Sequence, residues 1–255
     1  MPPTGPPRDR GSRKHVLDLA SSPTFATTCD GLLAGTGFRM GEDQHRRPVG
    51  RSCSADWNEY RVEDYLKTHP LSPQGPFLDR KWWISHDGNR PNWDLICQIT
   101  DGTRVGLLLV EAKAHESEMA EQNKKSRPDT ANPKSVSNDR QIRQVLDRTN
   151  SAMGRLGFGA FGLSADHHYQ LSNRIAYAYK LATLGLPVVL MYLGFIGDCS
   201  FPKDWIRSAD HWQRLVGGYI QGVVPQGFPD RHVPVGPGSL VLIVRSLDLG
   251  TGGRP

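Results

Sequence analysis

The chain has 255 residues, enough for one sizeable core with appendages, and carries a formal net charge of +5. A pI of about 9.1 suits a polyanionic partner without demanding one, and a mean hydropathy of −0.49 with no long apolar run excludes a helical membrane span. Cys29, Cys53, Cys97 and Cys199 are scattered without a Cys-x-x-Cys pair, which excludes a zinc site or disulfide framework by spacing and makes a reducing cytoplasm the expected compartment.

The opening Met1–Pro7 is rich in proline and lacks the apolar core of a secretory signal. Residues 1–52 as a whole are rich in Pro, Gly, Arg and Ser, and predict a disordered or weakly ordered tail. Residues 55–67 predict a helix, capped by Ser54 or Asp56 and stopped by His69-Pro70, with Glu59 and Glu63 on one face. Lys81–Ile84 reads as a short strand leading into the next element.

That element is a hairpin. Residues 93–100 and 103–113 are β-prone, and Asp101-Gly102 between them is a strong turn signal, because a type I′ turn needs positive φ at both central residues. A two-residue loop would set Thr100 against Thr103 and Asp94 against Leu109. Alternation with period two then puts Asp94, Leu109, Glu111 and Lys113 on one face, Asp94 diagonal to Glu111. A one-residue slip would send Asp94 to the other face. Leu107–Val110 is apolar on both faces, as in a central strand, so charges at its end mark a site more often than a solvated salt bridge. Two carboxylates and an amine at that spacing suit a hard divalent cation and the activation of water beside it.

Residues 114–138 are polar and predict a mobile loop whose Lys124, Lys125 and Arg127 could reach a phosphate backbone; a plain solvated loop is equally consistent. His115 and Glu116 could enlarge a metal shell. Residues 139–153 predict an amphipathic helix through Ile142, Val145, Leu146, Thr149 and Met153, and the glycine-rich 154–162 a connector. Residues 167–184 predict a second helix, with Leu171, Ile175, Ala178 and Ala182 as its apolar stripe and Gln170, Arg174 and Tyr177 as a polar one. Gly185 ends it, and Val188–Phe195 reads as a crossover strand. A helix over 203–221 and a strand over Ser239–Val244 follow. The expected fold is α/β, a mixed central sheet flanked by helices. Its core spans 53–200 with the loop at 114–138, and 201–255 completes the same domain.

Pro91-Asn92-Trp93-Asp94 with Glu111-Ala112-Lys113 resembles the PD-(D/E)xK nuclease superfamily, over the hairpin and loosely the helix and strand that follow. Pro91 and Asp94 are two residues apart rather than adjacent, and position 174 is arginine, so the glutamine-to-tyrosine spacing of one large subgroup is not met. The resemblance implies a restriction-endonuclease-like core and a Mg²⁺-dependent nuclease, with Mn²⁺ as a substitute, acting on nucleic acid, DNA first, with a homodimer open. It implies Asp94 and Glu111 as metal ligands, the Ala112 carbonyl as a third, Glu59 or Glu63 lent by the preceding helix, Lys113 assisting the attacking water, and Gln170 and Arg174 binding phosphate or positioning Lys113. A non-catalytic nucleic-acid-binding or scaffolding protein of the same fold is the alternative, and a hydrolase of another phosphate substrate a third reading.

Overall fold

The computed structural model describes residues 10–41, 45–51, 58–69, 71, 79–120, 132–200 and 203–250. Seven strands form one sheet: β1 (Arg39–Met40), β2 (Arg46–Arg47), β3 (Leu95–Thr100), β4 (Val105–Lys113), β5 (Pro187–Ile196), β6 (Val233–Val235) and β7 (Gly238–Asp248). The order is β1-β3-β4-β5-β7-β6, with β2 also pairing β3. The central β4, β5 and β7 run parallel, and both flanks are antiparallel. Helices α4 (Pro133–Gly154), α5 (Tyr169–Thr183) and α6 (Ala209–Ile220) fill the connections between the parallel strands. The chain is therefore α/β, a mixed sheet flanked by helices. Among the described residues no helix is long and apolar enough to cross a membrane.

Strands β4 and β5 are apolar on both faces because both faces are covered. Leu107, Leu109, Val188 and Leu190 pack toward α4, α5 and α6. Leu108, Val110, Val189 and Met191 pack toward α1 (Ser12–Ser21) and α2 (Phe25–Leu33). This second layer overturns the expected tail: residues 1–9 lie outside the described residues, but Val16, Leu19, Phe25 and Leu33 are buried. Compositional bias hid their helical spacing, and a sheet face this apolar requires a cover. His15 and the Gly11 amide fasten α1 to Asp198, at 2.9 and 3.2 Å.

Other expectations change as well. The helix near residue 60 is only α3 (Val62–Thr68), with 52–57 outside the described residues, so Glu59 precedes it and shares no helical face with Glu63. Arg80–Trp82 is one 3₁₀ turn rather than a strand, and Trp83 is buried against Tyr177 at 5.1 Å. Helix α4 starts earlier than expected, with the Asn132 side chain accepting from the Lys134 amide at 2.9 Å and Pro133 in the first turn. Of the expected loop, 116–119 is a 3₁₀ turn; Lys124, Lys125 and Arg127 lie outside the described residues. Helix α6 begins at Ala209, where Ser208 Oγ accepts from the His211 amide, and β7 extends beyond the expected strand to Asp248.

The hairpin forms with a longer turn. Thr100 pairs with Val105 and Leu95 with Val110, so Asp101–Arg104 make a four-residue loop. Asp101 Oδ1 accepts from the Thr103 amide (2.9 Å), the Arg104 amide (2.7 Å) and Thr103 Oγ1 (2.7 Å). These bonds close an Asx turn one step beyond the tight turn expected. The register moves by two residues, an even number, so every side chain keeps its face. Asp94 becomes level with Glu111 instead of diagonal to it.

Candidate active site

The site lies where the hairpin is unequal. β4 runs on to Lys113, but β3 begins only at Leu95. The Ala112 amide therefore has no strand partner on that side, and it donates to Asp94 Oδ2 at 2.7 Å. One residue earlier, Trp93 bridges to Tyr60 through both backbone groups, at 2.9 and 3.2 Å. Continuing that antiparallel register brings Glu59, an exposed residue, beside half-buried Asp94.

Glu111 is 1% exposed and Lys113 5%. Lys113 Nζ donates to Glu111 Oε1 at 2.5 Å and to Gln170 Oε1 at 3.0 Å. Arg174 Nε donates to Glu111 Oε2 at 2.6 Å, and Arg174 Nη2 to the Asn92 carbonyl at 2.6 Å. Its guanidinium also stands over the Trp93 ring, 4.7 Å from the centroid. Gln170 and Arg174 are one turn apart on α5, whose apolar stripe fixes which side faces β4.

These contacts set the electrostatics. Burial drives Asp94 well above the ordinary carboxylate range, and the charges of Glu111 and then Glu59 add to it, against Lys113 and the Ala112 amide. Burial also opposes ionisation of Glu111, but Arg174 and Lys113 outweigh it and hold that carboxyl below its usual range. Burial disfavours the Lys113 ammonium, yet Glu111 and Asp94 raise it above the usual lysine value. Lys113 Nζ thus stands as a hydrogen-bond donor between Glu111 and Gln170.

Asp94, Glu111, Lys113, Gln170 and Arg174 come together as expected, and Ala112 adds its amide. Glu63 does not join them. It is buried, accepts from Tyr177 Oη at 3.2 Å and faces Arg90 Nη1 at 3.4 Å. Tyr177 is accordingly core rather than part of a polar stripe. His115 and Glu116 also stand apart: His115 Nδ1 pairs with Ser117 Oγ at 2.8 Å, and Glu116 faces His211 at 3.5 Å.

Sequence reasoning missed Tyr192. It lies beside Glu111 on β5, on the same face, fully buried, and its hydroxyl has no hydrogen-bond partner among the described residues. Burial first, then Tyr219 and Glu111, push its phenol well above the usual tyrosine value. The available signal was one polar tip inside the apolar run Val188–Phe195.

Among the described residues no three His, Cys, Asp or Glu side chains are grouped to hold a metal by themselves. Asp94 and Glu111 offer an all-oxygen pair, which fits Mg²⁺, an ion commonly bound by one or two carboxylates plus substrate phosphate and water. A carboxylate has about four acceptor positions, and on Glu111 the Lys113 and Arg174 bonds use two of them. No family model matches the chain, and neither a curated protein nor a solved structure matches it.

Proposed function

We propose that the chain is a divalent-metal-dependent nuclease of the PD-(D/E)xK type, hydrolysing phosphodiester bonds, in DNA first, in a reducing cytoplasm. The observation that carries this reading is the level pair Asp94 and Glu111 at the open end of the hairpin, with Lys113 bonded to Glu111. Asp94 and Glu111 would hold Mg²⁺ or Mn²⁺. The Ala112 carbonyl is a candidate third donor, since in an extended strand it leaves on the same edge as the amide that reaches Asp94. Glu59, whose charge acts on Asp94, is a further acid beside the pair. The bound ion would polarise the scissile phosphoryl group and lower the pKa of a bound water.

The chain's own groups supply the rest. Lys113, held as a cation, stabilises negative charge developing on the phosphoryl oxygens and orients the attacking water. Gln170 fixes the Lys113 ammonium from α5. Arg174 locks Glu111 and is a second fixed positive charge near a phosphate.

Calorimetry with Mg²⁺ and Mn²⁺, followed by cleavage of linear, circular, single- and double-stranded DNA and of RNA with and without chelator, tests the proposal. Metal binding that depends on Asp94, together with chelator-sensitive cleavage that depends on Lys113, is the expected result. One observation favours a non-catalytic scaffold: Lys113, Glu111 and Arg174 already form a closed ion triad. Failure to bind either metal would select that reading.

A further inference from the structure

A groove of about 410 Å³ lies beside this site. One wall is the segment Ile84–Pro91; the other is the first turns of α4 and α5, with Ser135, Tyr169 and Asn173. Gln170 and Arg174 line the groove and also bond Lys113 and Glu111, so these two side chains are a wall shared by the groove and the site. The walls are fastened together. Asn138 accepts from the His86 amide at 2.8 Å and donates to the His86 carbonyl at 3.2 Å.

The lining is polar and carries two guanidinium groups. Arg90 is one of them, its side chain 10% exposed, with Nη1 ion-paired to Glu63 at 3.4 Å and without a hydrogen bond among the described residues. The other is Arg174. The amino end of α5 also opens here, and its dipole adds to the attraction for an anion. Half-buried Tyr169 supplies an aromatic ring in the same wall.

We infer that this groove receives one unpaired nucleotide next to the scissile phosphate, so that the substrate is a single strand or a frayed end rather than an intact duplex. The inference rests on the nuclease reading of the adjoining site and names its substrate class. Three features carry it. The volume is at the small end of ligand sites, suited to one nucleotide and too small for paired strands. Arginines and a helix terminus suit a backbone phosphate, and an aromatic wall suits a base face, which only an unstacked base presents. Gln170 and Arg174, which line the groove, bond Lys113 and Glu111, so a nucleotide seated there lies one side chain away from the acids.

The test separates groove from chemistry by measuring binding in chelator. A fluorescein-labelled oligonucleotide, unpaired or in a blunt duplex, is titrated with protein and followed by anisotropy. The wild type should bind the unpaired strand at least about tenfold more tightly than the duplex, the weight of one stacked base. Ser135→Trp and Asn89→Trp, which fill the groove from its rim, should each weaken binding of the unpaired strand by about tenfold. Ser151→Trp, exposed further along α4, should not, and circular dichroism checks that each variant is folded. Equal or tighter duplex binding, or two groove variants binding like the wild type, would overturn the inference. Cleavage with Mg²⁺ is then scored separately. A strand bound in the groove yet uncut would remove the nuclease reading and leave the groove; a strand cut equally by the groove variants would do the reverse.

Discussion

Glu111→Gln should destabilise the protein far more than Asp94→Asn, although both should end cleavage. Glu111 is the only acid hydrogen-bonded by both Lys113 and Arg174 among the described residues, and all three groups are nearly inaccessible to water. A neutral amide of the same shape leaves two buried cations without their counter-charge. Removing one partner of a buried ion pair costs about 3–5 kcal/mol. For a chain of this size that lowers Tm by about 6–20 °C. Asp94 accepts from the Ala112 amide, a bond that the asparagine oxygen keeps, and its charge is crowded by Glu111 and Glu59. Asp94→Asn should therefore melt within about 4 °C of the wild type or above it. Adding Arg174→Met to Glu111→Gln removes one stranded cation and should recover part of the loss. Differential scanning calorimetry in chelator measures all four proteins. A Glu111→Gln protein melting within about 2 °C of the wild type would refute the buried triad as a unit of the fold.

Three further outcomes follow from other contacts. Gly194 lies beside Lys113, and an added Cβ would come within 2.5 Å of the Trp212 ring, so Gly194→Ala should cost about 1–3 kcal/mol by overpacking, read from the urea midpoint. Tyr192→Phe removes a buried hydroxyl that has no partner among the described residues and should leave Tm unchanged or raise it; a clear drop would reveal a partner for that oxygen. Burial works to raise the Asp198 carboxyl, but bonds from Ser200 and His15 win and hold it below its usual value. Such a group stabilises the fold above the ordinary aspartate value, and the contribution fades as pH falls through that value toward the lower folded-state one. Asp198→Asn should thus cost about 2 kcal/mol at neutral pH, and its gap from the wild type should narrow below about pH 4. A gap constant from neutral pH into that range would count against the clamp on α1.

The site was legible because its geometry depends on local periodicities. Asp101-Gly102 announced the turn, and the two-residue alternation of β4 put Glu111 and Lys113 on one face. The apolar stripe of α5, Leu171 and Ile175 among it, aimed Gln170 and Arg174 at that face. The register was not legible: Asp101 competes for the backbone with its own side chain, and tight and wider turns share the same dipeptide. Nor was the partnership of Glu63 with Tyr177, because it joins residues 114 positions apart. The layer formed by α1 and α2 was hidden by composition. What demanded it was the double-sided apolarity of β4 and β5, a property of the sheet rather than of residues 1–52.

The unequal hairpin also explains why the acids gather here and nowhere else along β4. Had β3 begun two residues earlier, the Ala112 amide would have paired with backbone and Asp94 would have been an ordinary strand residue. Because β3 starts at Leu95, the last turnless stretch of β4 exposes an edge, and an edge amide must find an acceptor. Asp94 supplies one oxygen to that amide and is drawn level with Glu111. Two acids so close repel, and Lys113 and Arg174, both ion-paired with Glu111, offset that repulsion. Their positive charge settles Glu111, whereas burial and the Glu111 charge both work against an ionised Asp94. A divalent cation placed between the acids would meet its strongest unmet demand at Asp94. Metal affinity should accordingly fall further for Asp94→Asn than for Glu59→Gln, an ordering that calorimetry with Mn²⁺ reads directly.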